Sequence, residues 1–169
     1  MRKKLILAIM SIAIIGSTIV SCGSGTNDGK NDTNQEQVED INLEDLSKKI
    51  SENVQLRPMG DITDEEAKEI FKLNLDQIES YSIKKGKVNT GLETIALIKV
   101  KKGQAEAVTN SLKEYIKSIQ PFYPGEQEAV ENAKILETGN YIGLFIIPDY
   151  EDGEGNLEKV VTAFEDEFK

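Results

Sequence analysis

The sequence predicts an α+β domain: a four-stranded, mainly antiparallel sheet in the order ββαββα, with helices on one face and two further helices before it. Three observations favour this class. Apolar residues recur at helical spacing in segments 43–54 and 157–168, and strand-like runs separate the helical segments. A strand–strand–helix pattern also occurs twice in the second half of the chain.

The two N-terminal helices are predicted from their caps and their apolar stripes. Asn42 suits the N-cap of the first helix, and Thr63 with Glu66 forms a capping-box pair for a second, short one. The first stripe consists of Leu43, Leu46, Ile50 and Val54. The segment RPMGD between these helices is interpreted as a break.

The second half predicts four strands and two helices. Strands are expected in IESYSIKKG, ETIALIKVK, NAKILETG and YIGLFIIP, and helices in GQAEAVTNSLKEYIKSIQ and at the C-terminus. Pro121 and Pro124 are expected to end the first of these helices. The run YIGLFIIP is nearly all apolar, which is typical of a central strand buried on both faces.

The N-terminus has the three parts of an export signal: the positive segment MRKK, the apolar run LILAIMSIAIIG, and small residues before Cys22. The alternative, an uncleaved membrane helix, needs about 20 apolar residues, and this run is shorter and interrupted. Segment 22–40 is rich in Gly, Asn, Asp and Thr and predicts a disordered tether. We therefore expect a signal peptide at 1–21, a tether at 22–40 and one domain at 41–169.

The stretch Ile19-Val20-Ser21-Cys22 resembles the lipobox of bacterial lipoproteins. The resemblance implies cleavage after Ser21 and a diacylglyceryl group on the Cys22 sulfur. Acyl chains buried in a bilayer contribute about 0.8 kcal/mol per methylene. We therefore expect a protein anchored by lipid to the extracytoplasmic face of the cell membrane.

The segment GLETIALIKV…GNYIGLFII resembles a family of Gram-positive lipoproteins whose body is a domain of unknown function. The shared features are an acidic residue before IALIKV, an aromatic-proline loop, an ENA segment and a GNY motif before the last strand. The resemblance covers about residues 43–169 and implies a lipid-anchored domain, but it transfers no catalytic residue. The insertion PDYEDGEGN departs from the family's pattern.

Composition limits the chemistry of the domain. The chain carries a formal charge of −10 and has no histidine, and its three N-terminal cations precede Cys22, so the remainder carries −13. Such a body is expected to repel nucleic acid. Without histidine, the usual general base and the commonest metal ligand are missing. We therefore expect no cofactor and no enzymatic activity.

Two stretches are candidate sites. Asp149, Glu151, Asp152 and Glu154 offer oxygen ligands to a calcium ion, but their spacing does not match a calcium loop, so a solvated turn is favoured. Phe122 and Tyr123, with Tyr141, are the candidates for contact with a partner or ligand. For Phe122 and Tyr123, packing over the core is the favoured alternative.

These features together predict a surface lipoprotein with a non-enzymatic binding domain, whose partner is an envelope protein or ligand of unknown identity. One alternative is a lipoprotein that binds a small ligand or ion. A second alternative is an envelope hydrolase that uses carboxylates alone, which would need a cleft between two acids.

Overall fold

The computed structural model describes residues 40–52, 54–87, 91–149 and 155–169. Its helices are α1 (Leu43–Glu52), α2 (Asp64–Glu69), α3 (Ala105–Ser118), α4 (Pro124–Glu131) and α5 (Asn156–Asp166). Its strands are β1 (Met59–Asp61), β2 (Ile78–Gly86), β3 (Thr94–Val100), β4 (Lys134–Thr138) and β5 (Tyr141–Ile146). They form one antiparallel sheet in the order β1-β2-β3-β5-β4. Within the described residues, no helix combines the length and the apolar character that crossing a bilayer needs.

The α+β class and the antiparallel sheet are confirmed, but the predicted number of four strands is wrong. The fifth strand, β1, lies inside the segment interpreted as a break. Its three residues pair with Lys84, Lys85 and Gly86 of β2. A strand this short has almost no sequence pattern of its own, so its pairing partner decides its conformation.

Helix α4 interrupts the predicted ββαββα order. Pro124, which was expected to end a helix, is the first residue of this one. Proline is favoured at that position because the first N–H of a helix has no intrahelical partner. The Glu126 carboxylate accepts hydrogen bonds from the N–H groups of Phe122 (2.9 Å) and Tyr123 (3.3 Å), which caps the helix start.

The helices cover both faces of the sheet, so the prediction of helices on one face is wrong. Helices α1 and α5 pack on the face that carries Ile95, Leu97 and Phe145. Helices α2, α3 and α4 pack on the face that carries Ile98 and Leu144. Because successive side chains of a strand point to opposite faces, strands that are apolar at almost every position need cover on both sides.

The two ends of β3 define two ends of the domain. Near its first residue, the Thr94 hydroxyl lies 3.3 Å from the hydroxyl of Tyr115, in the last part of α3. We call this the Tyr115 end. At the opposite end, Lys99 of β3 and Tyr141 of β5 contact Asp40, the first described residue. We call this the Asp40 end.

Candidate functional site

The first candidate site is an exposed turn at the Tyr115 end, formed by Phe122 and Tyr123 between Pro121 and Pro124 and called the aromatic turn below. The exposed fraction is 77% for Phe122 and 61% for Tyr123. The expectation that these rings pack over the core is wrong. The core beneath is already covered by α4, whose Ala129 is buried there.

The aromatic turn is held rigidly. Two prolines fix the backbone φ angles on either side of it. The Glu126 side chain, which is buried, accepts hydrogen bonds from both intervening N–H groups. The two rings are therefore presented to solvent by a backbone that is already ordered.

Tyr141 lies elsewhere. Its ring is 2% exposed and packs against Phe168, with ring centroids 5.2 Å apart. Its hydroxyl accepts a hydrogen bond from the N–H of Ile41 at 3.2 Å. The structure places Tyr141 at the opposite end of the domain from the aromatic turn, so the three predicted aromatic candidates do not form one site.

A cluster of charges at the Asp40 end fixes the start of the domain. The Lys99 ammonium lies 2.8 Å from the Asp40 carboxylate and 3.1 Å from that of Glu79, and 5.7 Å from the centre of the Tyr141 ring. The hydrogen bond and the charge of Lys99 lower the pKa of Asp40, and the same carboxylate contributes most to raising the pKa of Lys99. These contacts tie the first described residue to β3 and β5.

The second candidate site is a cavity of about 570 Å³ between α1 and β1, called the α1–β1 groove below. Most of its lining side chains are charged, and we call its three apolar lining residues, Val54, Leu56 and Met59, which pack against the core, its floor. The lining residues are Glu44, Asp45, Lys48, Ser51, Glu52, Val54, Leu56, Arg57, Met59, Asp61 and Lys84. Ligand sites in proteins commonly have volumes of about 300–1,000 Å³.

An arginine of the groove is tied to a buried acid. The Arg57 Nε lies 3.9 Å from a carboxylate oxygen of Glu93, whose side chain is fully buried. Glu93 packs over Gly86, where an added Cβ would lie 2.8 Å from the other carboxylate oxygen. Glu93 is the acidic residue before IALIKV that supports the family resemblance. The sequence therefore singled out Glu93, but it did not predict that Arg57 lies beside it.

The two lysines of the groove are also paired. Lys84 lies 2.5 Å from the Asp61 carboxylate, and Lys48 lies 3.9 Å from that of Glu52. The hydrogen bond from Lys84 lowers the pKa of Asp61. The two acids of the first turn of α1 make no ion pair within the described residues. The charge left over in the groove is therefore negative.

The predicted acidic site is only partly described. Asp149 is exposed and lines a cavity of about 180 Å³ together with Glu158. Glu151, Asp152 and Glu154 lie outside the described residues, as does Cys22. Among the residues that are described, no three acidic, histidine or cysteine side chains lie close enough together to hold a metal ion.

An α+β domain with helices on both sheet faces and two candidate binding surfaces does not by itself define a known class. The chain matches the family model for a domain of unknown function, DUF4358, over residues 52–147. Because the match spans more than half of the chain, the chain belongs to this family. The expected resemblance to a domain of unknown function is thus confirmed. Comparison with curated proteins and with solved structures gives no match.

The matched range divides the fold unevenly. It contains all five strands, helices α2 to α4, Glu93 and the aromatic turn. It contains only the last residue of α1 and none of α5, the two helices of the other face. It also ends at Ile147, directly before the insertion PDYEDGEGN.

Proposed function

We propose that this protein is a lipoprotein, anchored through Cys22 to the extracytoplasmic face of the membrane, whose domain binds a partner and catalyses no reaction. The observation that carries the proposal is the aromatic turn, which exposes Phe122 and Tyr123. Large aromatic side chains are the commonest anchors of protein interfaces. Held by Glu126 and two prolines, they lose little conformational freedom on binding.

A second candidate function is binding of a small ligand in the α1–β1 groove. The volume of the groove and its apolar floor favour this alternative. A carboxylate-based hydrolase is less well supported. A general acid needs a raised pKa, whereas the pKa of Asp61, one of the acids in the groove, is lowered by Lys84.

Site-specific photo-crosslinking tests the aromatic turn. Tyr123 is replaced by a photoreactive phenylalanine analogue in the full-length protein on intact cells, and exposed Glu106 of α3 is replaced in a matched control. We expect a discrete crosslinked species from position 123 that is absent from position 106. The same species from both positions, or none from either, contradicts contact through the aromatic turn.

The anchor is tested separately. In Cys22→Ala, we expect the protein to lose label from radioactive palmitate and to leave the membrane fraction, because its acyl chains are gone. If this variant stays membrane-bound and is processed like the wild type, the lipid anchor is wrong. That outcome leaves the crosslinking result unaffected, so the two parts of the proposal fail independently.

A further inference from the structure

We propose that the α1–β1 groove binds an extended, basic peptide segment of another protein, which adds to the free edge of β1 as a sixth strand. Three features of the described residues lead to this inference: an edge strand with outward backbone groups, an apolar floor beside it, and surplus acidic charge on the facing helix. The inference rests neither on the lipid anchor nor on the aromatic turn.

The backbone of β1 has hydrogen-bonding groups that point away from the sheet. The Pro58 carbonyl accepts from the N–H of Lys87 at 3.0 Å, and the N–H of Ile62 donates to β2 at 3.2 Å. Because the direction alternates along an antiparallel strand, Met59 and Asp61 direct their N–H and C=O groups outward. In the described sheet, β1 is the terminal strand, so this edge is open to a further strand.

The floor of the groove fits the side chains of such a strand. Val54, Leu56 and Met59 are each half-buried and line the groove next to β1. In an added strand every second side chain points to the same face. Those side chains would cover this floor, with α1 as the opposite wall. Strand addition beside a helix is a recurrent way in which domains bind extended peptides.

The charge of the groove selects a basic peptide. Each of its three cations already has a carboxylate partner. Glu44 and Asp45 line the same groove and make no ion pair within the described residues. Complementary charge across an interface favours a partner of opposite sign and disfavours one of the same sign.

The net charge favours a peptide of another protein over a second copy of this chain, and the length of the groove sets the size of that peptide. From Glu44 to Glu52 the helix wall is about 12 Å long, which matches about four residues of extended chain. A second copy would place its own β1, with Asp61, against Asp61 and the acids of α1. At a net charge of −10, such self-addition is repulsive.

Fluorescence anisotropy with the full-length protein tests the proposal. The probe is a fluorescein-labelled, acetylated Lys-Thr-Val-Thr-Lys amide, in which both lysines and the valine lie on the same face of an extended strand. Its controls are the Glu-Thr-Val-Thr-Glu peptide and an analogue of the probe N-methylated at alternate amides. We expect the basic peptide to bind at least about tenfold more tightly than either control, because these lose the charge match or the ladder donors. Equal binding of the three peptides, or no binding of the basic one at about 1 mM, overturns the proposal.

Variants locate the site. Met59→Pro removes an outward N–H and one side chain of the floor, and it leaves the β1–β2 hydrogen bonds in place. We therefore expect at least about a tenfold loss of affinity relative to Met59→Ala, which removes the side chain alone. The double variant Glu44→Gln/Asp45→Asn should lose about three- to tenfold. The matched control Glu65→Gln/Glu69→Gln, on exposed positions of α2, should bind like the wild type.

The binding of these variants and the oligomeric state of the protein distinguish strand addition from the alternatives. If folded Met59→Pro binds the basic peptide like Met59→Ala, edge addition is wrong. If Met59→Pro does not fold, the N-methylated peptide on the wild-type protein decides instead. If the protein forms a concentration-dependent dimer that Met59→Pro abolishes and the basic peptide does not dissociate, a second copy occupies the edge and the proposal is overturned.

Discussion

Replacing Gly143 by alanine should destabilise the domain, although alanine is normally the better residue within a strand. Gly143 lies in β5 on the face covered by α5. A Cβ added there would lie 2.8 Å from two ring carbons of Phe145 and 3.1 Å from a ring carbon of Phe164. Carbon atoms in contact are normally about 3.5–4.0 Å apart, so the Phe145 ring must retreat by roughly 0.7–1.2 Å.

The rings have little space into which to retreat. Phe145 and Phe164 are almost fully buried, with centroids 5.6 Å apart, and Phe164 in turn packs 4.9 Å from Phe168. Overpacking of this kind costs about 1–3 kcal/mol, whereas replacing glycine by alanine regains about 0.5–1 kcal/mol of backbone entropy. The steric effect wins, and we expect a net loss of about 1–2 kcal/mol in the free energy of unfolding.

Urea unfolding of the purified protein measures this loss as a lower midpoint at unchanged m value. Two variants make the comparison specific. Gly125→Ala lies in α4, where an added Cβ meets nothing within 4 Å, and should be stabilised by about 0.5–1 kcal/mol. Adding Phe145→Leu to Gly143→Ala should cost less than the sum of the two single changes, because the smaller side chain leaves room. If Gly143→Ala is as stable as the wild type, the reasoning is refuted.

Three further predictions concern hydroxyl and charged groups. Tyr141→Phe should lose about 0.5–1.5 kcal/mol, seen in urea unfolding, because the backbone amide at the start of the domain loses its acceptor. Lys99 lowers the pKa of Asp40, so this ion pair stabilises the folded state above about pH 4 and ceases to do so as the pH falls below that value. In Lys99→Met, the thermal midpoint should therefore fall less steeply below about pH 4 than it does in the wild type. An unchanged slope contradicts the pairing. Burial, and then the hydrogen bond to Asp64, raise the pKa of Tyr81 to about 12. The contribution of Tyr81 to stability is therefore present below about pH 10 and lost as the pH rises toward 12. The ultraviolet titration of the wild type, minus that of Tyr81→Phe, gives the titration of the Tyr81 hydroxyl. A titration midpoint near about pH 10 refutes the prediction.

The sequence contained enough information to predict that helices cover both faces of the sheet. In the run YIGLFIIP, Ile142 and Leu144 alternate with Tyr141 and Phe145, and every one of these side chains is buried. Alternation in a strand sends the two pairs to opposite faces. The observation that predicted a buried strand thus already required helices on both faces, and the prediction of one covered face conflicted with it.

Other features depend on contacts that no local pattern contains. Met59–Asp61 is a strand because β2 offers it a partner. The start of α4 differs, since Pro124 followed two residues later by Glu126 is a local helix-start pattern that the sequence contained and that was not recognised. Phe122 and Tyr123 are exposed, and in this part of the chain it is Ala129 and Val130 of α4 that pack on the core. The motif at Glu93 was recognisable, but its burial beside Arg57 needs the folded chain.

The placement of Asp40 and the aromatic turn at opposite ends of the seven-residue strand β3 has a mechanical consequence. A pull applied at Asp40, while a partner holds Phe122 and Tyr123, acts along the strands over about 20 Å. Asp40 is joined by the chain to α1 and by side-chain contacts to Lys99 and Tyr141, so this load is carried first by those contacts and by the packing of α1 on the sheet. Lifetime under force follows the unfolding rate, so the rate at which α1 and these contacts open, and not equilibrium stability alone, determines how long a domain attached in this way withstands a pull.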